Sequence, residues 1–177
     1  MSGHNKWSKI KNKKATEDAK KSKLFSIYAR IISLEAKKSD GDINSPGLKK
    51  AIERARGINM PNDNIERAIK KGLGKESANL EEVFYEAYGP GGIAILIEGI
   101  TDNKNRTTAQ IKHCLLKNSG NLGSQGSAVW AFEKTDDSWQ AKTPLIIDST
   151  EITKLKKLID ELQDNEDISN VSTNCKL

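Results

Sequence analysis

Glu82-Val-Phe-Tyr-Glu-Ala-Tyr88, Gly89-Pro-Gly-Gly92 and Ile93-Ala-Ile-Leu-Ile-Glu98 form the stretch whose reading decides how the chain is built. Val83, Tyr85 and Ala87 alternate with Phe84, Glu86 and Tyr88, the period of two that marks a half-buried strand. The Gly/Pro cluster makes a tight reversal and the Ile-rich run behind it is the return strand, so residues 82–99 are predicted as a hairpin. Gly89-Pro-Gly-Gly92 is read as the hairpin loop rather than a phosphate cradle. No strand-turn-helix with the glycine spacing of a nucleotide site is present.

Upstream of the hairpin the period is helical. Leu24, Ile27, Tyr28, Ile31 and Leu34 recur at three- and four-residue steps, which predicts a first helix from near Thr16 to about Lys38. Ser39-Asp-Gly-Asp42 ends it. Ser45-Pro46 opens a second helix with Leu48, Ala51, Ile52, Ala55 and Ile58 as its buried face, and Pro61 stops it. A third runs from Asp63 to Lys71 on Ile65, Ala68 and Ile69, with Gly72 as its expected C-terminal cap. Gly72-Leu-Gly-Lys-Glu-Ser-Ala-Asn79 then reads as a flexible linker.

Downstream, a helix is expected from Asn103 to Asn118 and a break at Asn118–Gly123. Strands are expected at Ala128–Phe132, Trp139–Ala141 and Pro144–Ile147, then a helix at Glu151–Gln163 and a closing strand at Ile168–Cys175. Helices placed between antiparallel strands predict an α/β (α+β) fold. Its expected layout is a basic arm and three-helix bundle over residues 1–74, then a ferredoxin-like open-faced α/β sandwich over 80–177.

Charge divides at the same linker. Residues 1–75 carry 19 Lys/Arg and 8 Asp/Glu, a net of +11, while residues 76–177 carry 10 and 16, a net of −6. Eight lysines against Glu17 and Asp18 give residues 1–23 a net of +6. Like charges at that density gain little by folding on themselves and much by meeting a polyanion, whose condensed counterions they release. The candidate phosphate contacts are Lys6, Lys9, Lys11, Lys13, Lys14, Lys20, Lys23 and Arg30. Trp7 either stacks on an exposed base, worth roughly 1–3 kcal/mol, or packs the arm against the bundle. Lys104 and Arg106 open a helix capped by Asn103, Asn105 or Thr107, where backbone amides and two cations make a second candidate anion site.

Other function classes find little support. No apolar run reaches the ~18 residues of a membrane span, and the N-terminal lysines have no apolar stretch behind them as a secretory signal would. Cys114 and Cys175 are too few for a disulfide framework or zinc site, which fits a reduced, cytoplasmic setting. His4 lies in the arm, and His113 and Cys114 point about 100° apart on a helix, a poor nucleophile–base pair. Asp160, Glu161, Asp164, Glu166 and Asp167 read as a solvated helix end rather than a cation site. No catalytic residue, cofactor or metal is expected.

Several segments carry a resemblance. Gly3-His-Asn-Lys-Trp7, Met60-Pro61 with Ile65-Glu-Arg-Ala-Ile-Lys70, Tyr88-Gly-Pro-Gly-Gly92, Thr101-Asp-Asn-Lys-Asn-Arg-Thr107 and Gly120-Asn-Leu-Gly123 resemble signature segments of the YebC family. That family includes the mitochondrial translational activator of cytochrome c oxidase. Leu158-Ile-Asp-Glu-Leu162 and Val171-Ser-Thr-Asn174 are similar to its closing helix and strand. The resemblance implies a non-enzymatic regulator of gene expression with a helical N-terminal domain and an α/β body. Family members are described both as DNA-binding transcriptional regulators and as ribosome-associated translational activators. One departure is expected to matter. The family's third domain is inserted into the second, yet Phe132 reaches the closing helix in fewer than twenty residues, and Ser172 and Cys175 stand where aromatics are more usual.

The expected function is therefore nucleic-acid binding without chemistry, favouring ribosomal RNA and the ribosome as partners. A DNA-binding transcriptional regulator is the alternative, although a single basic arm reads backbone rather than sequence. A protein–protein adaptor is the alternative of another class. Neither a membrane nor a small-molecule substrate is expected.

Overall fold

The computed structural model describes the backbone of residues 3–135 and 138–176, and side chains over 17–75, 77–135 and 138–176. Two compact units divide the chain, Met1–Ser77 and Ala78–Leu177.

The first unit is helical: α1 spans Gly3–Lys38, α2 Pro46–Gly57 and α3 Asn62–Leu73. Helix α1 begins thirteen residues before the expected Thr16. Lysine is a good helix former and no proline interrupts residues 3–38, so the repulsion expected to keep the arm unfolded is outweighed by propensity. Of the expected α1 stripe, Leu34 is buried and Tyr28 and Ile31 pack against the core. Ile32 and Ala36 are fully buried with Phe25, Tyr28 and Ala29 beside them, whereas Leu24 is 43% exposed. From α2 and α3, Leu48, Ala51, Ile52, Ala55, Ile65 and Ala68 complete this core.

Gly72 is a correction of its own. It lies buried inside α3, where an added Cβ would sit 2.3 Å from the Ser33 carbonyl oxygen and 2.9 Å from Ala36 Cβ. Two helix backbones approach closely there, and Ser33 Oγ donates to the Ala68 carbonyl at 2.8 Å across the same crossing. The first part of the expected linker is folded as well. Lys75–Ser77 form a 3-10 turn, and the buried Ser77 hydroxyl lies 2.6 Å from the Gly72 carbonyl oxygen.

The second unit is built on the hairpin, β1 Glu81–Tyr88 and β2 Ala94–Thr101, paired from Glu81↔Thr101 to Tyr88↔Ala94. Its loop uses positive φ at Gly91 (68°) and Gly92 (73°), which glycine adopts without strain. The hairpin occupies the centre of a four-stranded antiparallel sheet, with β3 (Asn121–Leu122) against β1 and β6 (Ile168–Thr173) against β2. Helices α4 (Lys104–Lys117) and α5 (Ser149–Gln163) cover one face, giving an open-faced α/β sandwich. Their Ile111, Leu115, Leu155, Leu158 and Leu162 pack on Val83, Tyr85, Ala87, Ile93, Ile95 and Ile97. Leu116, expected among the apolar set of α4, is 62% exposed.

On the other face, Ala94 and Leu96 meet Ala128, Ala131 and Phe132. Here the expected strand Ala128–Phe132 is instead a 3-10 turn, Val129–Ala131, leading into β4 (Phe132–Lys134). Among the described residues, strand β4 pairs only with β5 (Trp139–Ala141), as a separate ribbon. The Glu86 carboxylate accepts from the Ala128 and Val129 amides, which are then closed to a ladder. The turn expected at Asp136-Asp137 lies outside the described residues. Residues 118–123, read only as a break, contribute β3, and Leu145 makes a single parallel bridge with Cys175 in place of a strand.

Candidate nucleic-acid interface

Net positive charge of the first unit falls in two places. Residues 1–23 carry a net of +6, residues 24–45 balance to zero, and residues 46–75 carry +5. The side chains of Lys6, Trp7, Lys9, Lys11, Lys13 and Lys14 lie outside the described residues, though the α1 backbone runs beneath them. Farther along α1, Lys20 is exposed, while Lys23 and Arg30 are half-buried and already interact with neighbouring groups. Lys21, absent from the expected set, places Nζ 5.6 Å from the centre of the Phe25 ring.

The second concentration lies outside the expected contact set. Lys49, Lys50, Arg54 and Arg56 on α2 and Lys70 and Lys71 on α3 are exposed on the sides opposite the core. Their signal is the +5 of residues 46–75, nearly that of the arm. Arg67 turns back on its own helix, with Nε donating to the Asp63 carbonyl and its guanidinium to Asn64.

The start of α4 is built differently from the expected anion site. Asn103 Oδ1 does cap the helix, accepting from the Arg106 amide at 3.0 Å. The Arg106 guanidinium donates to Asp102 at 2.8 Å and to the buried Asp167 at 2.9 Å. Asp167 Oδ2 also lies 2.7 Å from Thr107 Oγ1 and 3.2 Å from Thr101 Oγ1. The Arg106 guanidinium is therefore engaged by the chain's own carboxylates. Hydrogen bonds to Asp167 and then Asp102 raise the pKa of Arg106 above its ordinary value. Only Lys104 keeps an exposed side chain here with no carboxylate partner among the described residues.

The expected acidic cluster also resolves into separate roles. Glu161 accepts from Asn118 Nδ2 at 2.8 Å and from Lys117 Nζ at 3.2 Å, tying α5 to α4. Those two hydrogen bonds hold its pKa below the ordinary carboxylate range. Burial, and then Glu161, raise the pKa of the Cys114 thiol, the reverse of what a nucleophile needs. Among the described residues no group of three or more His, Cys, Asp or Glu is placed to hold a metal ion, and no helix is long and apolar enough to cross a membrane.

Comparison with known proteins adds a family. Residues 5–75 match the TACO1/YebC protein N-terminal domain, and residues 80–137 match the TACO1/YebC second and third domain. A "Probable transcriptional regulatory protein" of Finegoldia magna is 46% identical over 164 residues, covering 92% of this chain and 65% of that protein. One of the same description from Halothermothrix orenii is 51% identical over 136 residues, covering 76% and 54%. The chain thus spans between 54% and 65% of the length of these relatives. Among solved structures, the conserved hypothetical protein Aq1575 from Aquifex aeolicus superposes with a TM-score of 0.81 at 29% identity, covering 90% of this chain and 91% of that one.

Proposed function

The chain belongs to the TACO1/YebC family, and from that premise we propose that it is a regulator of gene expression that binds nucleic acid without chemistry. Ribosomal RNA, met at the ribosome in the cytoplasm, is the favoured polyanion. The observation that carries this reading is the net +11 of residues 1–75, in a helical unit separate from a body of net −6. Phosphate neutralisation by Lys6, Lys9, Lys11, Lys13, Lys14, Lys20, Lys23 and Arg30 supplies affinity through counterion release. Trp7 adds stacking on an unpaired base. Lys104 contributes at most one further contact, since Arg106 is held by Asp102 and Asp167. The basic unit docks on RNA, and the α/β body is carried to a second surface.

A second reading, a DNA-binding transcriptional regulator, is favoured by the names of the relatives. Co-sedimentation with ribosomes and their subunits across a salt series separates the two. Wild type is expected to be retained at physiological salt, and the Lys9/Lys11/Lys13/Lys14→Ala variant to be lost. If neither co-sediments while both bind duplex DNA specifically, the transcriptional reading replaces the translational one.

A further inference from the structure

Trp130 is 64% exposed, although Ala128, Ala131 and Phe132 around it are 0–4% exposed. Its indole is oriented by the chain itself, with Nε1 donating to the Ser127 carbonyl at 2.8 Å. The turn that carries it is pinned from beneath. The buried Glu86 carboxylate accepts from the amides of Gly126 and Ala128 at 2.6 Å and Val129 at 2.7 Å. Tyr88 Oη donates to the same Ser127 carbonyl, and the Lys142 amide donates to the Ala131 carbonyl at 3.0 Å. A buried carboxylate that immobilises a surface turn while the largest side chain of that turn stays outside adds little to the core. It does lower the ordering cost for whatever packs on the indole, the property of a contact hot spot.

Charge selects the occupant. Residues 76–177 carry 16 Asp/Glu against 10 Lys/Arg, a net of −6. The unit as a whole repels phosphate and attracts cations. Glu133, exposed on β4, follows Trp130 by three residues. The same ribbon already forms a contact of the required kind, since Lys134 Nζ lies 5.3 Å from the centre of the Trp139 ring. We infer that the Trp130 turn is a docking site for a cationic polypeptide segment, an Arg- or Lys-rich stretch of a partner protein that stacks on the exposed indole face. The inference rests on the RNA-binding reading for its setting, because proteins that coat RNA expose such basic segments.

Titration of the 177-residue chain with an oligoarginine peptide and, separately, with a single-stranded oligouridylate tests it, using wild type, Trp130→Ala and Trp130→Phe. Trp130→Ala is expected to weaken the peptide about two- to fivefold, the size of an exposed cation–π contact. Trp130→Phe should restore most of that loss, and oligouridylate binding should stay unchanged in both variants. Unchanged circular dichroism establishes that the variants fold. Peptide affinity that changes by less than about twofold in Trp130→Ala overturns the inference, as does a loss confined to oligouridylate, which would put a nucleobase on the indole. If wild type binds no oligouridylate yet still shows the Trp130-dependent peptide response, the docking site stands and the RNA-binding reading fails.

Discussion

Glu86 owes its ionisation behaviour to the folded state. Burial alone would raise its pKa, but the amides of Gly126, Ala128 and Val129 outweigh it and hold the carboxylate below its ordinary value. Hydrogen bonds to a charged group are worth roughly 1.5–3 kcal/mol each, and a buried donor left unpaired costs about as much. Glu86→Gln keeps the shape but places one side-chain N–H against a backbone N–H. It is expected to destabilise the α/β unit by about 2 kcal/mol, read from urea unfolding followed by tryptophan fluorescence. Because the folded pKa is depressed, this stability is present above the unfolded value near 4.5 and lost as pH falls below it through the folded value. The gap between wild type and Glu86→Gln should therefore be constant near neutrality and narrow in acid; a gap that persists unchanged at about pH 3 would refute the role. None of this was legible in the sequence. Alternation puts Glu86 beside Phe84 and Tyr88 on the face away from the helices, and only the 126–131 segment folding back explains why it is buried. The ion pair of Arg106 was not legible for a related reason, since Asp167, its partner, lies 61 residues away.

At the scale of elements the sequence was a better guide where one period ruled. The central hairpin follows directly from its alternation and its Gly/Pro loop, and α5 follows from Leu155, Leu158 and Leu162. Asp148, rather than a residue of the predicted helix, caps α5, accepting from the Thr150 and Glu151 amides. Ends and short strands were less legible, because β3 and β4 are set by tertiary pairing over two or three residues. Gly72 shows the same limit within a helix. Its local role reads as a cap, whereas its real role is to let α3 touch α1. Alanine has the higher helix propensity by about 1 kcal/mol. At Gly72 the added Cβ would meet the rigid Ser33 carbonyl at 2.3 Å, so Gly72→Ala should destabilise the helical unit by roughly 1–3 kcal/mol through overpacking. Gly57, at the end of α2, has nothing within 4 Å of an added Cβ. There the propensity gain is unopposed, and Gly57→Ala should be neutral or stabilising by up to about 1 kcal/mol. Opposite signs from two Gly→Ala changes in one unit, measured by far-ultraviolet circular dichroism in urea, are the expected result. Equal signs would mean that the α1–α3 contact is looser than its geometry.

Across the whole molecule the informative quantity is where charge is left unbalanced. Residues 24–45 sum to zero, so the net positive charge of the first unit divides between the arm and the α2–α3 segment, while the second unit has a net of −6. This division predicts a salt dependence that can be apportioned. For single-stranded RNA, the slope of log K against log salt falls by about 0.7 for every phosphate contact removed. If four arm lysines each sit on a phosphate, Lys9/Lys11/Lys13/Lys14→Ala should flatten the slope by about 3. Lys104→Ala should change it by less than about 1, because that end of α4 retains one free-standing cation while Asp167 and Asp102 hold the other. Fluorescence anisotropy with a labelled single-stranded RNA over a salt series measures both slopes. A quadruple variant with wild-type slope but lower affinity would mean that the arm acts through stacking or packing and that phosphate is met by α2 and α3. A large effect of Lys104→Ala would place RNA on the α/β unit despite its charge, and so count against a division of labour between a cationic unit for the polyanion and an acidic one for a basic protein.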